Sequence, residues 1–128
     1  ASPVHIKKYG LPNTVQELLS QPSIGLVAEN SDAYYRNVAR WQGQKIQPDF
    51  RFGANNINSV ISTIKSGLGY GQIPKGMISG ELARKELIEL HPDIDVEPTS
   101  LYLVYPSRSG QPAKVKAFVD VMVAWAEN

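Results

Sequence analysis

The chain contains no cysteine among its 128 residues, and it contains only two histidines, His5 and His91. The missing thiols exclude cysteine catalysis, cysteine-ligated zinc and disulfide bonds from this sequence. The two histidines stand far apart and have no partners at metal-ligand spacing, so neither a metal site nor a histidine base is predicted. We expect both imidazoles to be exposed or hydrogen-bonded.

Net charge and long apolar runs are equally scarce. The formal net charge is +1, and the densest basic positions are the pairs Lys7-Lys8 and Lys114/Lys116. A nucleic-acid-binding face needs a larger basic cluster, so we expect that this chain does not bind DNA by itself. No apolar stretch reaches the length of a membrane span and no signal-peptide core is visible, which predicts no membrane partner. The lack of cysteine is compatible with the cytoplasm.

Constellations of catalytic residues are also missing. No serine lies in the G-x-S-x-G turn of the hydrolases. Arg108 follows a predicted strand and could meet an anion, although a solvent-exposed turn arginine is the commoner case. The acidic residues of the second half are spread over a helix end and a loop, as in a solvated face; they are Glu81, Glu86, Glu89, Asp93, Asp95 and Glu97. The sequence therefore predicts neither an enzyme nor a cofactor.

The glycine-rich segment at residues 67–71 looks at first like a phosphate loop. Position 72 is glutamine, so the G-x-G-x-x-G motif is not met. The order of elements also differs, because a phosphate loop runs from strand into helix and these glycines run from a predicted helix into a strand. A helix stop with tight strand packing explains them better, and nucleotide binding is rejected.

Residues 54–76 are the most informative stretch of the chain. Apolar residues recur at the spacing of one helix face; they are Ile57, Val60, Ile61, Ile64 and Leu68. Asn55 and Asn56 stand where an N-cap belongs, and Gly67 and Gly69 where a left-handed C-cap belongs. A strand at 50–54 precedes this helix, and a strand at 70–73 follows it and stops at Pro74. The exposed amide groups at such a helix entrance suit a small anionic or polar ligand.

The remaining elements complete an α/β domain, in which strands alternate with helices. A short extended segment is predicted at 2–6, a helix from Thr14 with Glu17 in capping-box spacing, and a buried strand at 24–28. Residues 29–48 are expected to be irregular. After Pro74 a helix is predicted to run to about residue 85. It is followed by a strand at 87–90, a turn-rich connection at 91–99, a strand at 101–105 and a loop at 107–111. The last helix starts at Pro112 with an apolar stripe, made of Val115, Phe118, Val119, Met122, Trp125 and Ala126.

The ordered series of motifs resembles the effector-binding domain of LysR-type transcriptional regulators. The residues that carry the resemblance are Ala1-Ser2-Pro3, Tyr9-Gly10-Leu11-Pro12 with Leu18-Leu19, Asn55-Asn56, Gly67-Leu68-Gly69 with Ile73-Pro74, residues 87–90, residues 101–108 and residues 112–120. They cover the chain from Ala1 to about Trp125. The chain departs from the family just before the strand at 87–90, where Lys85-Glu86 stands in place of the usual glycine.

The resemblance implies a periplasmic-binding-protein-like (type 2) fold, with a mixed sheet flanked by helices. Residues 1–128 would form a partial effector-binding domain. Within it, about 4–99 would be the second subdomain, and 100–128 would be the return strand and terminal helix that belong to the first subdomain. The winged helix-turn-helix and most of the first subdomain would be missing from this chain.

The resemblance also implies ligand-facing positions at the crossover, at the entrance of the central helix and at the edge that follows the next strand. These positions are Ser2, Pro3, Asn55, Asn56, Ile57, Ile73 and Pro74. A second interpretation remains open, because the two asparagines could serve only as helix caps, or one could cap while the other faces the ligand.

The function implied by the resemblance is the sensing of a small organic, anionic effector by a cytoplasmic homo-oligomeric regulator. Closure of the cleft between subdomains would control DNA binding by the N-terminal domain, which this chain lacks. The alternative is an exported solute-binding protein of the same architecture, for which Ala1 would be a processed N-terminus. Sequence upstream of Ala1 would separate the two, through a helix-turn-helix pattern or a signal peptide.

Overall fold

A computed structural model describes residues 1–28, 34–35, 38–98, 102, 104 and 112–127. The chain divides into two compact units, Ala1–Glu97 and Pro98–Asn128. The predicted strand at 101–105 falls largely outside the described residues, and the predicted loop at 107–111, with Arg108, lies wholly outside them. The predicted division of the domain near residue 99 stays a prediction.

The elements follow the chain in an alternating order of helices and strands. They are α1 Pro3–Tyr9, α2 Val15–Ser20, β1 Ser23–Leu26, β2 Ala39–Trp41, β3 Gln44–Ile46, β4 Phe52–Ala54, α3 Ile57–Lys65, β5 Tyr70–Gly71, a 3-10 turn Lys75–Met77, α4 Ser79–Ala83, β6 Asp95–Val96 and α5 Ala113–Ala126. The predicted α/β class is confirmed.

The central sheet has the strand order β4-β1-β5, and both strand pairs are parallel. Ile24 of β1 is in register with Phe52 of β4, and Ser23 is in register with Tyr70 of β5. Because the three strands run the same way, their C-terminal ends meet at one edge of the sheet. We call this the carboxyl edge; it comprises residues 26–28, 55–57 and 72–74.

Two apolar clusters cover the two faces of this sheet, because successive strand residues point to opposite faces. Ile24 belongs to a cluster with Val60, Ile64, Ile78 and Leu87. Ser23 precedes Ile24 and therefore points to the opposite face of the sheet, and Tyr70, in register with Ser23, shares that face. Tyr70 belongs to a second cluster with Val15, Leu18, Ala39, Trp41 and Ile46. The predicted burial of β1 on both faces is confirmed, although the strand ends at Leu26.

Local signals set the starts of α2 and α3 as predicted. The Thr14 hydroxyl accepts the N–H of Glu17 at 3.1 Å, and the Glu17 carboxylate accepts the N–H of Asn13 at 2.7 Å. At the other end of α3, Gly67 has a φ of 84°, which confirms a left-handed residue after the helix. Leu68 lies beyond α3 and is 50% exposed, so its predicted place on the buried helix face is wrong.

The predicted extended segment at residues 2–6 is wrong, because these residues begin helix α1. The Ser2 hydroxyl accepts the N–H of His5 as an N-cap, and Pro3 occupies the first helical position. Gly10, with a φ of 78°, ends the helix, and its N–H donates to the Ile6 carbonyl. These cap residues outweigh the β-branched residues that suggested an extended segment.

The predicted irregular stretch is wrong over residues 39–46, where β2 and β3 form a hairpin; residues 29–33 and 36–37 lie outside the described part. Gln42 and Gly43 make the two-residue turn, with φ values of 51° and 74°. β6 pairs with the other side of β2, so the second sheet has the order β3-β2-β6 and is antiparallel. Trp41 is 3% exposed and anchors this sheet on the α2 side.

The region after Pro74 also differs from expectation. A 3-10 turn and the five-residue α4 replace one continuous helix, and no strand forms over the described residues 87–90. Ile88 exchanges two backbone hydrogen bonds with Ala1, at 3.0 and 2.8 Å, but its neighbours form no ladder. Lys85 takes a φ of 58° at the point where the resemblance expects glycine.

Helix α5 confirms the predicted last helix of the chain, with Pro112 at its N-cap position. Val115, Val119 and Met122 of the predicted stripe are half-buried. Phe118 and Trp125 are 57% and 65% exposed.

Candidate functional site

The carboxyl edge gathers five of the seven predicted ligand positions. Asn55, Asn56 and Ile57 directly follow Ala54, which is in register with Leu26 of the central strand. Ile73 and Pro74 follow β5, whose Gly71 is in register with Ile24 on the other side of the same strand. The two groups therefore flank the end of β1. Ligands of open α/β sheets bind outside this end of the strands.

Asn56 caps helix α3. Its Oδ1 atom accepts the N–H of Asn58 at 2.8 Å and the N–H of Ser59 at 3.2 Å. The cap interpretation is therefore confirmed for this residue. Because two of the N–H groups of the first turn are already bonded, the helix entrance offers a ligand fewer donors than the sequence suggested.

Asn55 differs from its neighbour. It is exposed, and it makes no hydrogen bond with any part of the chain that the structure describes. Its amide keeps one acceptor and two donors for a ligand. Asn55 is thus available to be the asparagine that faces a ligand while Asn56 caps, and this role of Asn55 stays a prediction.

The other side of the carboxyl edge supplies an apolar surface and a charge. Ile73 packs against the Ile24 cluster, while Pro74 is exposed. The next residue, Lys75, places its Nζ atom 2.8 Å from Oε1 of Glu89 and remains 69% exposed. Such an exposed ion pair is weak, so Glu89 holds the ammonium group only loosely.

Ser2 and Pro3 are placed differently from the other predicted positions. Ser2 is 1% exposed, and its hydroxyl already caps α1. Val4, the next residue but one, lies against Gly67 at the C-terminal end of α3. Since a nine-residue helix is about 13 Å long, this contact lies far from Asn56 at the opposite end of α3.

Sequence reasoning missed an aromatic pair that lies on the central sheet. Gly25 and Gly53 are opposite each other on β1 and β4. The rings of Tyr34 and Phe50, with centroids 4.7 Å apart, occupy the space where side chains would stand. The Tyr34 hydroxyl lies over Gly53, two residues before Asn55. Paired glycines on neighbouring strands were the available signal for it.

Charged and aromatic clusters elsewhere have structural partners. The pKa of Glu86 is lowered to about 2 by hydrogen bonds with Arg84 and then Lys65. His91 stacks on Trp41 with ring centroids 4.2 Å apart and bonds to the Pro12 carbonyl. His5 Nε2 lies 2.8 Å from Oε1 of Gln21, so the expectation that each histidine is exposed or hydrogen-bonded is confirmed.

Neither a metal cluster nor a membrane helix is found in the described ranges. No group of three acidic, histidine or cysteine side chains there could hold a metal ion. No helix in the same part of the chain combines the length and apolar character that crossing a bilayer requires.

Comparison with known proteins defines the class. Residues 1–127 match the model of the LysR substrate binding domain. This chain belongs to that family. The family assignment and the periplasmic-binding-protein-like fold that were predicted from the sequence are thereby confirmed.

Particular relatives share this assignment. The chain is 29% identical over 121 residues to an uncharacterised HTH-type transcriptional regulator of Haemophilus influenzae, which covers 90% of this chain and 40% of that protein. It is 22% identical over 125 residues to the probable HTH-type transcriptional regulator LtrA of Klebsiella pneumoniae, covering 95% and 40%. The regulatory domain of AphB in Vibrio vulnificus matches with 26% identity and a TM-score of 0.68, over 98% of this chain and 62% of that one.

The chain spans about two fifths of the length of these curated relatives. The relatives are described as transcriptional regulators and not as enzymes, which agrees with the predicted lack of catalysis. The alternative of an exported solute-binding protein is not favoured by these matches.

Proposed function

We propose that this chain binds a small organic anion at the carboxyl edge and serves as the effector-sensing part of a LysR-type regulator. Residues 4–99 would act as the second subdomain, and 100–128 as the return strand and terminal helix of the first. In the whole protein, a cytoplasmic homo-oligomer, effector binding would change the DNA contacts of an N-terminal domain.

The observation that carries this proposal is the pairing of an unbonded amide with a weakly held cation at one sheet edge. Asn55 offers two N–H donors, and Lys75 offers an ammonium that pairs with the exposed Glu89 carboxylate. A carboxylate can accept hydrogen bonds from both groups. Ile73 and the Tyr34 ring would then contact the apolar part of the effector.

The role given to Ser2 and Pro3 is a more restricted one. Because Ser2 is buried and caps α1, its hydroxyl supports the position of that helix more readily than it binds a ligand. We propose that both residues shape the region near the crossover, while Asn55 makes the polar contact.

The test is a thermal-shift titration of the intact regulator with benzoate, succinate and lactate, each compared with its neutral amide at matched ionic strength. We expect at least one carboxylate to raise the melting temperature in a saturable way, and its amide to be weaker. Asn55→Ala should weaken this response at least tenfold in half-saturating concentration. Asn58→Ala removes an exposed amide of the same helix and should leave the response unchanged.

Two results would contradict the proposal. One is a saturable carboxylate response that Asn55→Ala does not alter. The other is stabilisation by acids and amides alike, which would show that the anionic group is not recognised.

A further inference from the structure

Four polar side chains meet inside the unit formed by residues 1–97, away from the carboxyl edge positions. They are His5, Gln21, Ser23 and Tyr70, which are 0%, 8%, 1% and 7% exposed. His5 comes from α1, Gln21 follows α2, and Ser23 and Tyr70 face each other across β1 and β5. Buried polar atoms in such a cluster normally all have partners.

The hydrogen bonds of Gln21 determine which ring nitrogen of His5 carries the proton. The Gln21 amide nitrogen donates to the carbonyl oxygens of Gly10 at 3.1 Å and Tyr9 at 3.4 Å. Its Oε1 atom therefore faces His5 Nε2, at 2.8 Å, and needs a donor there. Nε2 carries the hydrogen, and Nδ1 of the neutral ring is left with a bare lone pair.

Two atoms of the cluster have no hydrogen-bond partner within the described residues, namely His5 Nδ1 and Tyr70 Oη. Burial lowers the pKa of His5, so the ring stays neutral and Nδ1 remains an acceptor. Burial raises the pKa of Tyr70 to about 12, against a smaller lowering by the nearby Ser23 hydroxyl, so the Tyr70 hydroxyl keeps a proton to donate. The two unpaired atoms are thus chemically complementary.

The two side chains do not bond each other in this arrangement, since neither atom has a hydrogen-bond partner in the described part of the chain. The ring centroids are 6.4 Å apart in an edge-to-face arrangement, with Tyr9 packed on the other side of His5 at 4.8 Å. Leaving either polar atom dry is costly, whereas a bound water molecule with two to four polar partners removes the cost.

We propose that a water molecule is bound inside the fold between His5 Nδ1 and Tyr70 Oη. The water accepts a hydrogen bond from the Tyr70 hydroxyl and donates one to His5 Nδ1. Its second hydrogen points to the Ser23 hydroxyl, which donates to the Asp49 carbonyl at 3.1 Å and keeps a lone pair free to accept. One water molecule would then connect α1 with β1 and β5.

Removal of the Tyr70 hydroxyl tests the proposal, because the direction of the change in stability differs with and without the water molecule. If Tyr70 Oη is a dry, unpaired group, Tyr70→Phe removes a buried unsatisfied atom and should not destabilise the protein. If the hydroxyl holds the water, the same change releases the water and leaves His5 Nδ1 without a hydrogen-bond donor. We then expect the unfolding equilibrium constant of the intact protein in urea to rise about fivefold or more.

Tyr9→Phe is the matched control, because it removes a hydroxyl from a ring that also contacts His5 but is 39% exposed. It should leave the unfolding equilibrium unchanged. A high-resolution crystal structure of the intact wild type should show an ordered water within about 3.2 Å of both unpaired atoms. The water should be absent or displaced in Tyr70→Phe.

Either of two results overturns the proposal. Unchanged or increased stability of Tyr70→Phe would show that the hydroxyl has no hydrogen-bond partner and holds no water. Loss of stability without an ordered water in the wild type would show that the Tyr70 hydroxyl bonds directly to His5 or to Ser23 after a small movement.

Discussion

Gly25 lies on β1 directly opposite Gly53 of β4, beneath the rings of Tyr34 and Phe50. A Cβ atom at position 25 would stand 2.5 Å from Cδ1 of Tyr34 and 2.7 Å from Cγ of Phe50. Ordinary carbon contacts are about 3.5–4.0 Å, so Gly25→Ala must push each ring outwards by roughly 1 Å. We therefore predict that this single methyl group destabilises the protein.

The size of the effect follows from what can move. Adding a methyl to a packed site typically costs about 1–3 kcal/mol. Both rings are half-buried and can shift towards solvent, which favours the lower half of this range. Alanine also restricts the unfolded chain and stabilises by about 0.4–1 kcal/mol where it fits, so the net loss should be about 1 kcal/mol.

Urea unfolding of Gly25→Ala and Gly76→Ala measures this difference. Gly76 is exposed and nothing lies within 4 Å of its added Cβ atom, so its substitution should be neutral or slightly stabilising. The decisive comparison is made in a Tyr34→Ala background, where the space above Gly25 is partly free. There the cost of Gly25→Ala should fall by at least half.

Equal free energies of unfolding for the Gly25 and Gly76 variants would refute this reasoning. A cost of Gly25→Ala that persists unchanged in the Tyr34→Ala background would also refute it, because the aromatic contact would then not be the cause.

Three further predictions concern a cap, a strained residue and a buried base. Asn56→Ala should lower the free energy of unfolding by about 1 kcal/mol, because two first-turn N–H groups lose their acceptor, while Asn56→Asp should restore most of it in the same urea assay. Lys85→Gly should raise the midpoint of urea unfolding by relieving a φ of 58° at an exposed position, whereas Lys7→Gly inside α1 should lower it. Burial lowers the pKa of His5 in the folded state, so on acidification the unfolded chain binds a proton at this histidine before the folded chain does. The contribution of neutral His5 to the free energy of unfolding should therefore be fully present above pH 6.5 and decrease as the pH falls below it. Acid titrations followed by circular dichroism should show a flatter pH dependence for His5→Gln.

The parts of the fold that were predicted correctly depend on residues close together in the chain. The cap at Thr14, the cap at Asn56 and the left-handed Gly67 each involve groups within one turn of a helix. Such contacts can be read from spacing alone. The same signals at Ser2 and Gly10 mark α1. The segment was wrongly predicted to be extended because apolar residues in a short segment fit either period.

The parts that were missed depend on partners far away in the sequence. β2 pairs with β6, so Ala39 has Val96 as its partner, although the two residues are far apart in the sequence. Ile88 was expected in a strand, yet its one backbone partner among the described residues is Ala1, and a single pair does not make a ladder. No local sequence pattern predicts either of these two pairings.

The candidate site was predictable in position but not in detail. The order of strand, helix and strand placed Asn55 at a helix entrance, whereas Ile73 and Pro74 were assigned through the family resemblance. Which asparagine caps α3 depends on the backbone at Asn56, whose φ of −140° and ψ of 129° aim its side chain at the helix. Tyr34 could not be assigned, because it reaches the sheet from a segment without a periodic pattern.

The separation between β2 and β6 also has a consequence for synthesis on the ribosome. All strands of the central sheet lie before residue 72, whereas the second sheet needs Asp95 and Val96. Translation at about 5–20 residues per second produces the intervening 25 or so residues in roughly 1–5 s. During that interval all three strands of the parallel sheet have been synthesised, whereas the hairpin still lacks β6 and Trp41 still lacks its Asp93 partner. The open side of β2 is therefore a surface that a chaperone would meet.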